Sequence, residues 1–253
     1  YILAMICVYY TSMIIGANRY VAVVFSCFAL FVGRSFLDIR PAGFSNLLVA
    51  VFMLILVLSM YKNYKYIWLV VPLIVLWCNL HGGYIYVFIM MIPFIGLQLF
   101  TCLNRKWTAI IYNITAWPFL LIVIAKAGPT LAVLLFTILI IVLDIVLIFF
   151  KDRIVSLDFK GVYHSIGVFV VAFLASILFN PFRLTNLTHT FVISISKHAE
   201  RWRDIHEWHP AFDWSNPVGT AVPFLVMYII LWLVFLAWSF SLIYTSVSGA
   251  QSN

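Results

Sequence analysis

The stretch Trp68–Met90, WLVVPLIVLWCNLHGGYIYVFIM, places a short polar segment between two long apolar runs. The runs cover about 66–79 and 84–103, and the segment Asn79-Leu80-His81-Gly82-Gly83 lies at their junction. An α-helix of about 20 apolar residues crosses the hydrocarbon core of a bilayer and satisfies its own backbone hydrogen bonds. The stretch therefore predicts two membrane helices joined by almost no loop, with an amide and an imidazole where they meet.

The composition of the whole chain supports a membrane protein. Of the 253 residues, 65% are hydrophobic and only 9% are charged, and the mean hydropathy is +1.11. A soluble domain has a much larger charged fraction. The net charge of +7 comes from short connections between apolar runs, where topology and lipid headgroups account for it, so nucleic-acid binding is not expected. Four cysteines without a CxxC pair are expected to be buried free thiols.

Apolar runs and their polar interruptions predict an all-α helical bundle with about nine spans, within a range of eight to ten. We treat 1–253 as a single transmembrane domain, because no internal repeat or low-complexity linker divides it. The chain begins at Tyr1 without a methionine, so the sequence predicts that its natural N-terminal part is missing. The predicted spans are about 1–17, 20–33, 44–61, 66–79, 84–103, 107–125, 130–150, 163–179 and 218–246.

Positive charges in the connections predict the orientation. If all nine runs cross, one side collects eight lysines and arginines, while the short connections of the other side hold Arg34, Arg40 and Lys126. The positive-inside rule makes the eight-charge side and the C-terminus cytoplasmic. The opposite, exterior face then carries the junction at 79–83 and the long segment 180–217, which we predict to be a helical loop at the membrane interface.

Two arginines on the predicted exterior face are candidate substrate-binding residues. Arg34 lies four residues before Asp38, so the two can pair on one helical face and simply anchor the interface. Alternatively, a guanidinium on this face can bind phosphate, since its planar fork pairs with two phosphate oxygens. Pro41 favours an extended conformation for Arg40 and directs this side chain away from the following span. Both interpretations stay open at this point.

Asn79 and His81 allow two readings as well. A polar side chain at the end of a membrane span needs a partner, which can be the helix terminus and a neighbouring helix. Alternatively, the two side chains contact a substrate, and His81 transfers a proton. Gly82 and Gly83 supply backbone freedom at the junction and permit close approach of another group. At the end of the eighth span, Asn180 precedes Pro181, and this pattern is typical of a capped helix terminus.

The segment KHAERWRDIHEWH, 197–209, concentrates ionisable residues. It can be a solvated interfacial helix, or it can present Glu207 to a substrate. His206 and His209 are legitimate metal ligands, but HEWH lacks the HExxH spacing that puts two imidazoles on one helical face, so no metal is predicted. Asp144, inside the seventh run, is expected to pair with a neighbouring helix or reach the interface. The scarcity of such buried groups disfavours a transporter.

The order of these motifs resembles bacterial polytopic membrane proteins related to the GT-C glycosyltransferases, which use polyprenyl-phosphate sugars. The resemblance covers about 34–214. The chain departs from it at Phe182-Arg183, where Tyr-Gly is common. In the GT-C enzymes an early exterior loop carries the catalytic acid, and the sequence either starts beyond that loop or lacks it. The motifs that carry it are DIRPAGFSNLLVAVFMLIL, WLVVPLIVLWCNLHGGYIYVFIM, LFNPFRL and IHEWHPAFDW, with Arg40-Pro41, Trp77/Asn79/His81/Gly82/Gly83, Asn180-Pro181 and Glu207-Trp208 at the matching positions.

The resemblance implies a protein of the bacterial inner membrane that transfers sugar from a polyprenyl-phosphate carrier at the exterior face. Arg34, Arg40 and Arg183 would bind the lipid phosphate, and Asn79, His81 and Glu207 would line the pocket. Of these, Glu207 and His81 are the candidates for catalysis, and no cofactor is implied. The alternative is a non-catalytic accessory subunit of a larger membrane complex, since helices that pack on partner helices need only shape and small residues. Membrane lipids are expected partners under both hypotheses.

Overall fold

The computed structural model describes residues 1–34, 41–128, 130–150, 159–195, 214–215 and 221–250. Across these residues the secondary structure is helical and contains no strand, which confirms the all-α part of the predicted fold class. Two 3-10 helices, Tyr64–Leu69 and Gly82–Tyr84, precede α4 and α5 directly. The α-helices are α1 (Ile2–Ile15), α2 (Arg19–Gly33), α3 (Pro41–Tyr61), α4 (Val70–Leu80), α5 (Ile85–Cys102), α6 (Arg105–Ala127), α7 (Leu131–Phe150), α8 (Phe159–Leu178), α9 (Leu184–Ile195) and α10 (Ala221–Ala250).

Four helical segments in the described part are long and apolar enough to cross a membrane: Gly43–Tyr61, Gly82–Cys102, Arg105–Ala125 and Phe159–Leu178. Five further apolar segments of 10–17 residues lie among the described residues, and the last two are parts of the longer helices α7 and α10: Ile2–Ile15, Arg19–Gly33, Tyr64–Leu80, Val133–Val146 and Ala221–Ala237. Each predicted apolar run forms a helix, but at 1.5 Å per residue the 15-residue α2 is about 22 Å long, less than a typical hydrocarbon core. The number of nine spans therefore stays a prediction.

Helix boundaries follow local chemistry. Asn18 caps α2 by accepting the Val21 N–H at 2.9 Å, and Asn104 caps α6 by accepting the Trp107 N–H at 3.0 Å. Such caps satisfy backbone donors that the first turn leaves unpaired. Gly16 ends α1 with φ +112°, a left-handed conformation that glycine adopts without penalty. The short break that the sequence shows at Asn18-Arg19 thus separates two helices, α1 and α2, which pack against each other.

The chain forms two compact units. The first comprises 1–95 and 160–232, and the second comprises 96–159 and 233–253. The single-domain assignment stays a prediction. The core of the first unit is built from α3, the 3-10 helix Tyr64–Leu69, α4, α5 and α8. Its largest fully buried side chains include Trp77, Tyr84 and Phe52, so the polar junction at 79–83 lies directly against the core.

Within the second unit, α6 and α7 pack together around a polar contact. The Asn113 Nδ2 donates to the Asp144 carboxylate at 2.7 Å, and the Trp117 indole N–H donates to Asn113 Oδ1 at 2.6 Å. The Tyr112 hydroxyl donates to the Ile140 carbonyl at 3.0 Å. Asp144 therefore pairs with the neighbouring helix, as the sequence led us to expect, and interhelical hydrogen bonds of this kind stabilise helix pairs in apolar surroundings.

Candidate functional site

His81 connects α4 to the short 3-10 helix that begins α5. Its backbone is extended, with φ −162° and ψ 148°, because α4 ends one residue earlier and the chain must turn. The His81 N–H still donates to the Trp77 carbonyl at 3.0 Å, which closes α4. The side-chain Nδ1 accepts the Gly83 N–H at 3.1 Å and so caps the 3-10 helix. One residue therefore ends one helix and begins the next, which explains why the two runs need almost no loop.

The His81 ring is also bonded to α3. The Ser45 hydroxyl lies 2.8 Å from His81 Nδ1, and the Trp77 indole N–H donates to Ser45 Oγ at 2.8 Å. Trp77 is fully buried and Ser45 is 6% exposed, so water does not compete for these bonds. Burial of a polar group costs free energy unless the group is hydrogen-bonded, and the Ser45, Trp77 and His81 side chains are all hydrogen-bonded here. The three side chains fix the start of α3 against the end of α4.

Gly83 is the point of closest approach in this arrangement. A Cβ atom at Gly83 would lie 2.6 Å from Ser45 Oγ and 3.0 Å from His81 Nδ1. The sequence predicted that the Gly-Gly pair permits close approach of another group, and at Gly83 that group is the side chain of α3. A residue larger than glycine cannot occupy the position while the Ser45–His81 bond is kept.

Asn79 and Asn180 join the end of α4 to the end of α8. The Asn79 Nδ2 donates to the Val75 carbonyl at 2.7 Å and to the Phe179 carbonyl at 3.0 Å. In return, the Asn180 Nδ2 donates to the Cys78 carbonyl at 2.6 Å, while its Oδ1 accepts the Phe182 N–H at 2.8 Å. The two amides thus exchange hydrogen bonds with each other's helix terminus. We call Ser45, Trp77, Asn79, His81 and Asn180 the junction cluster.

Arg183 lies on the turn that follows Asn180 and has an unusual backbone. Its φ is +47°, which makes it the one non-glycine residue with positive φ in the described part of the chain. The left-handed region costs a residue with a Cβ roughly 1–2 kcal/mol. The turn is held by the Arg183 N–H, which donates to the Asn180 carbonyl at 3.0 Å, and the side chain is exposed. Strained positions of this kind cluster at functional sites.

Replacing Arg183 with glycine should therefore raise the free energy of unfolding by about 1 kcal/mol, because glycine adopts positive φ without steric cost. The measurement is thermal or SDS-induced unfolding of the purified protein in detergent. Arg19→Gly is the matched control: Arg19 is an exposed arginine in the first turn of α2, where glycine should destabilise by up to about 1 kcal/mol. Destabilisation of both variants alike would contradict the assigned strain.

The predicted site residues divide into three groups. Asn79 and His81 belong to the junction cluster, and Arg183 lies three residues after Asn180 on the adjoining turn. Arg34 directly follows α2, where its guanidinium stacks on the Phe31 ring at 4.7 Å. The remaining predicted residues lie outside the described residues: Arg40, His206, Glu207 and His209.

Ser45 was not predicted as a site residue, although it lies within the first motif of the resemblance. The available signal was a small polar residue one turn after Pro41 in an otherwise apolar helix. Its partner could not be read from the sequence, since Ser45 and His81 are 36 positions apart. The Asn186 Nδ2 also approaches the Cys78 carbonyl, at 3.5 Å.

A cleft of about 390 Å³ opens between α1, α2 and α3. Its lining is mostly aliphatic, and the residues with polar side-chain atoms are Tyr1, Thr11, Ser12 and Asn46. Asn46 follows Ser45 on α3, so the cleft and the junction cluster share this helix. Gly33 also lines the cleft, and Arg34 is the next residue in the sequence. Apolar walls with a few polar groups suit a hydrocarbon chain that carries a polar head.

The described residues contain no group of three or more histidine, cysteine, aspartate or glutamate side chains that could hold a metal ion. The junction cluster contains the His81 imidazole, and the adjoining turn carries the exposed Arg183 guanidinium. An imidazole can donate or accept a hydrogen bond, and a guanidinium pairs well with phosphate or carboxylate oxygens. No protein family model, curated protein or solved structure matches this chain.

Proposed function

We propose that this chain is a GT-C-like membrane glycosyltransferase that acts at the exterior face of the bacterial inner membrane on a polyprenyl-phosphate-linked sugar. The observation that carries the proposal is the junction cluster. It joins residues from three of the four motif stretches on which the resemblance rests: Ser45 after Arg40-Pro41, Trp77 to Gly83, and Asn180-Pro181. The resemblance expects these motifs to line one pocket, and motif residues up to 102 positions apart are hydrogen-bonded here.

Each part of the proposed site has a chemical task. The cleft between α1, α2 and α3 is suited to the start of an isoprenoid chain, since its walls are mainly aliphatic. Arg183, with Arg34 and Arg40, would hold the lipid phosphate through charge-assisted hydrogen bonds. A carboxylate, for which Glu207 is the candidate, would activate the acceptor hydroxyl as a general base. The distribution of lysine and arginine puts this side outside and the C-terminus in the cytoplasm.

A transfer assay tests the proposal, with the full natural protein in proteoliposomes and a radiolabelled polyprenyl-phosphate sugar as donor. Arg40→Ala and Glu207→Gln should each lower transfer at least about 100-fold, the usual scale for removing a general base or a phosphate clamp. Arg183→Gly should also lower transfer although it stabilises the fold, so its effect cannot come from unfolding. Arg19→Ala, an exposed arginine at the other end of α2 from Arg34, should transfer at the wild-type rate.

Unchanged transfer in both Arg40→Ala and Glu207→Gln would reject this site.

The second candidate function is that of a non-catalytic accessory subunit, and one observation favours it. The Asn79 and Asn180 amides are bonded to backbone carbonyls and so already have a structural role. Absence of transfer by the wild-type protein, together with a stoichiometric membrane partner after crosslinking in native membranes, would establish that alternative instead.

A further inference from the structure

Helix α4 has one face in the core and one face outside it. The core residues of α4 are Leu73, Ile74, Trp77 and Cys78. The exposed residues follow the period of a helix, at Pro72, Leu76, Asn79 and Leu80. A groove of about 660 Å³ lies against this exposed face. Apart from Asn79, its lining is apolar and consists of Val71, Pro72, Val75, Leu76, Leu80 and Phe179.

Hydrogen bonds fix the orientation of the Asn79 amide in this lining. The Asn79 Nδ2 donates to the Val75 carbonyl at 2.7 Å and to the Phe179 carbonyl at 3.0 Å, so both of its protons are used. The reverse orientation would set Oδ1 against two carbonyl oxygens, and none of these three atoms carries a proton. The Asn79 Oδ1 therefore faces away from both carbonyls, and it has no hydrogen-bond partner among the described residues.

The groove and the Asn79 oxygen together define a class of ligand. An amide oxygen only accepts hydrogen bonds, so the ligand atom that meets it has to be a donor, which excludes a phosphate or carboxylate oxygen. The apolar walls favour a hydrocarbon chain. From Val71 to Asn79 the helix advances about 12 Å, close to the roughly 15 Å of hydrocarbon in one leaflet. The groove thus suits an acyl chain that ends within one leaflet, with its polar head at Asn79.

We propose that the α4 groove binds a neutral acylglycerol of the membrane, with the acyl chain against the apolar walls and a head hydroxyl donating to Asn79 Oδ1. The two ends of the amide then have different tasks, since Nδ2 joins α4 to the end of α8 and Oδ1 selects the lipid head. The lining shares no residue with the cleft between α1, α2 and α3, so this is a second site. The proposal goes beyond sugar transfer and does not depend on it.

Photolabelling tests the site, with the full natural protein in nanodiscs of phosphatidylcholine, whose head has no hydrogen-bond donor. Three probes carry the same diazirine in the chain: a monoacylglycerol, its dimethyl ether and an isoprenoid alcohol of similar length. The first two differ in the donor hydrogens, so the hydrogen bond is changed without any change to the protein. This matters because no natural side chain keeps both donors of the Asn79 amide and lacks its oxygen. Mass spectrometry of peptides locates the label.

We expect the monoacylglycerol to label α4 roughly threefold to tenfold more than its ether, the ratio that one neutral hydrogen bond produces. Leu76→Trp puts a large side chain into the groove and should abolish this labelling. Ile89→Trp is the matched control, because Ile89 is exposed on α5 and is not part of the lining. Asn79→Ala should remove the difference between alcohol and ether; if this variant does not fold, the wild-type comparison still decides.

Three results would overturn the proposal. Equal labelling of α4 by the monoacylglycerol and its ether in the wild type would exclude the hydrogen bond to Asn79 Oδ1. Labelling that survives Leu76→Trp would place the lipid outside the groove, and stronger labelling by the isoprenoid alcohol would exclude an acylglycerol as the preferred ligand. These readouts are separate from sugar transfer: failure of the transfer assay alone would reject the glycosyltransferase and leave the lipid site of α4 intact.

Discussion

Gly83→Ala is expected to lower the free energy of unfolding by about 3 kcal/mol or to prevent folding. The new Cβ would lie 2.6 Å from Ser45 Oγ and 3.2 Å from Ser45 Cβ, so α3 would have to move. Overpacking of a tight site costs 1–3 kcal/mol on its own, and breaking the Ser45–His81 bond leaves buried polar groups unpaired. SDS-induced unfolding of the purified protein in detergent, followed by tryptophan fluorescence, measures the effect.

The matched control is Gly96→Ala in the interior of α5, where a Cβ would meet no atom within 4 Å. Alanine loses less conformational freedom than glycine on folding, so this variant should be more stable by roughly 0.5–1 kcal/mol. A glycine-to-alanine substitution is thus expected to destabilise the protein at position 83 and to stabilise it at position 96. Similar destabilisation at both positions would mean that the contact around Gly83 is not the cause.

Asn180→Ala is expected to cost about 2–4 kcal/mol, because it removes one buried and one partly buried hydrogen bond at once and leaves the Cys78 carbonyl and the Phe182 N–H without that amide. Asn180 is only 4% exposed, so water cannot easily replace the side chain. Asn180→Asp keeps the acceptor for Phe182 but loses the donor to Cys78, and it should be at least as destabilising, since a carboxylate would then face a carbonyl. The same unfolding measurement applies.

Asn104→Ala provides the comparison for that measurement. Asn104 caps α6 by accepting the Trp107 N–H at 3.0 Å, but it is exposed, so its loss should cost about 1 kcal/mol. If Asn180→Ala proved no more destabilising than this surface cap, the bond between the ends of α4 and α8 would contribute little to stability.

The helices could be predicted because their signals are local. Runs of apolar residues and the caps at Asn18 and Asn104 are contained within a few turns of chain, and the all-α class is confirmed for the described residues. The predicted type of helix was less accurate where the helical geometry changes within one apolar run. The predicted span 66–79 is a 3-10 helix, Tyr64–Leu69, followed by α4, and no periodicity of apolar residues distinguishes the two forms.

Partners across the chain could not be predicted, because they depend on how the helices pack. The sequence indicated that Asn79 and His81 need partners, but it did not identify Phe179 or Ser45 as those partners. The sequence also identified Asn180 as a terminator of its own helix, whereas the structure bonds its amide to a carbonyl of α4. The predictions for Arg40, Glu207, His206 and His209 stay predictions, since these residues lie outside the described part.

The bond between Asn180 and the Cys78 carbonyl also sets an order of events during synthesis. Ser45 and His81 are 36 positions apart and can meet early, whereas Asn180 follows Cys78 by 102 positions. A ribosome adds roughly 5–20 residues per second, so Asn180 is synthesised about 5–20 s after Cys78. During that interval the nascent chain carries an incomplete junction, and the arrival of α8 is the step that closes it.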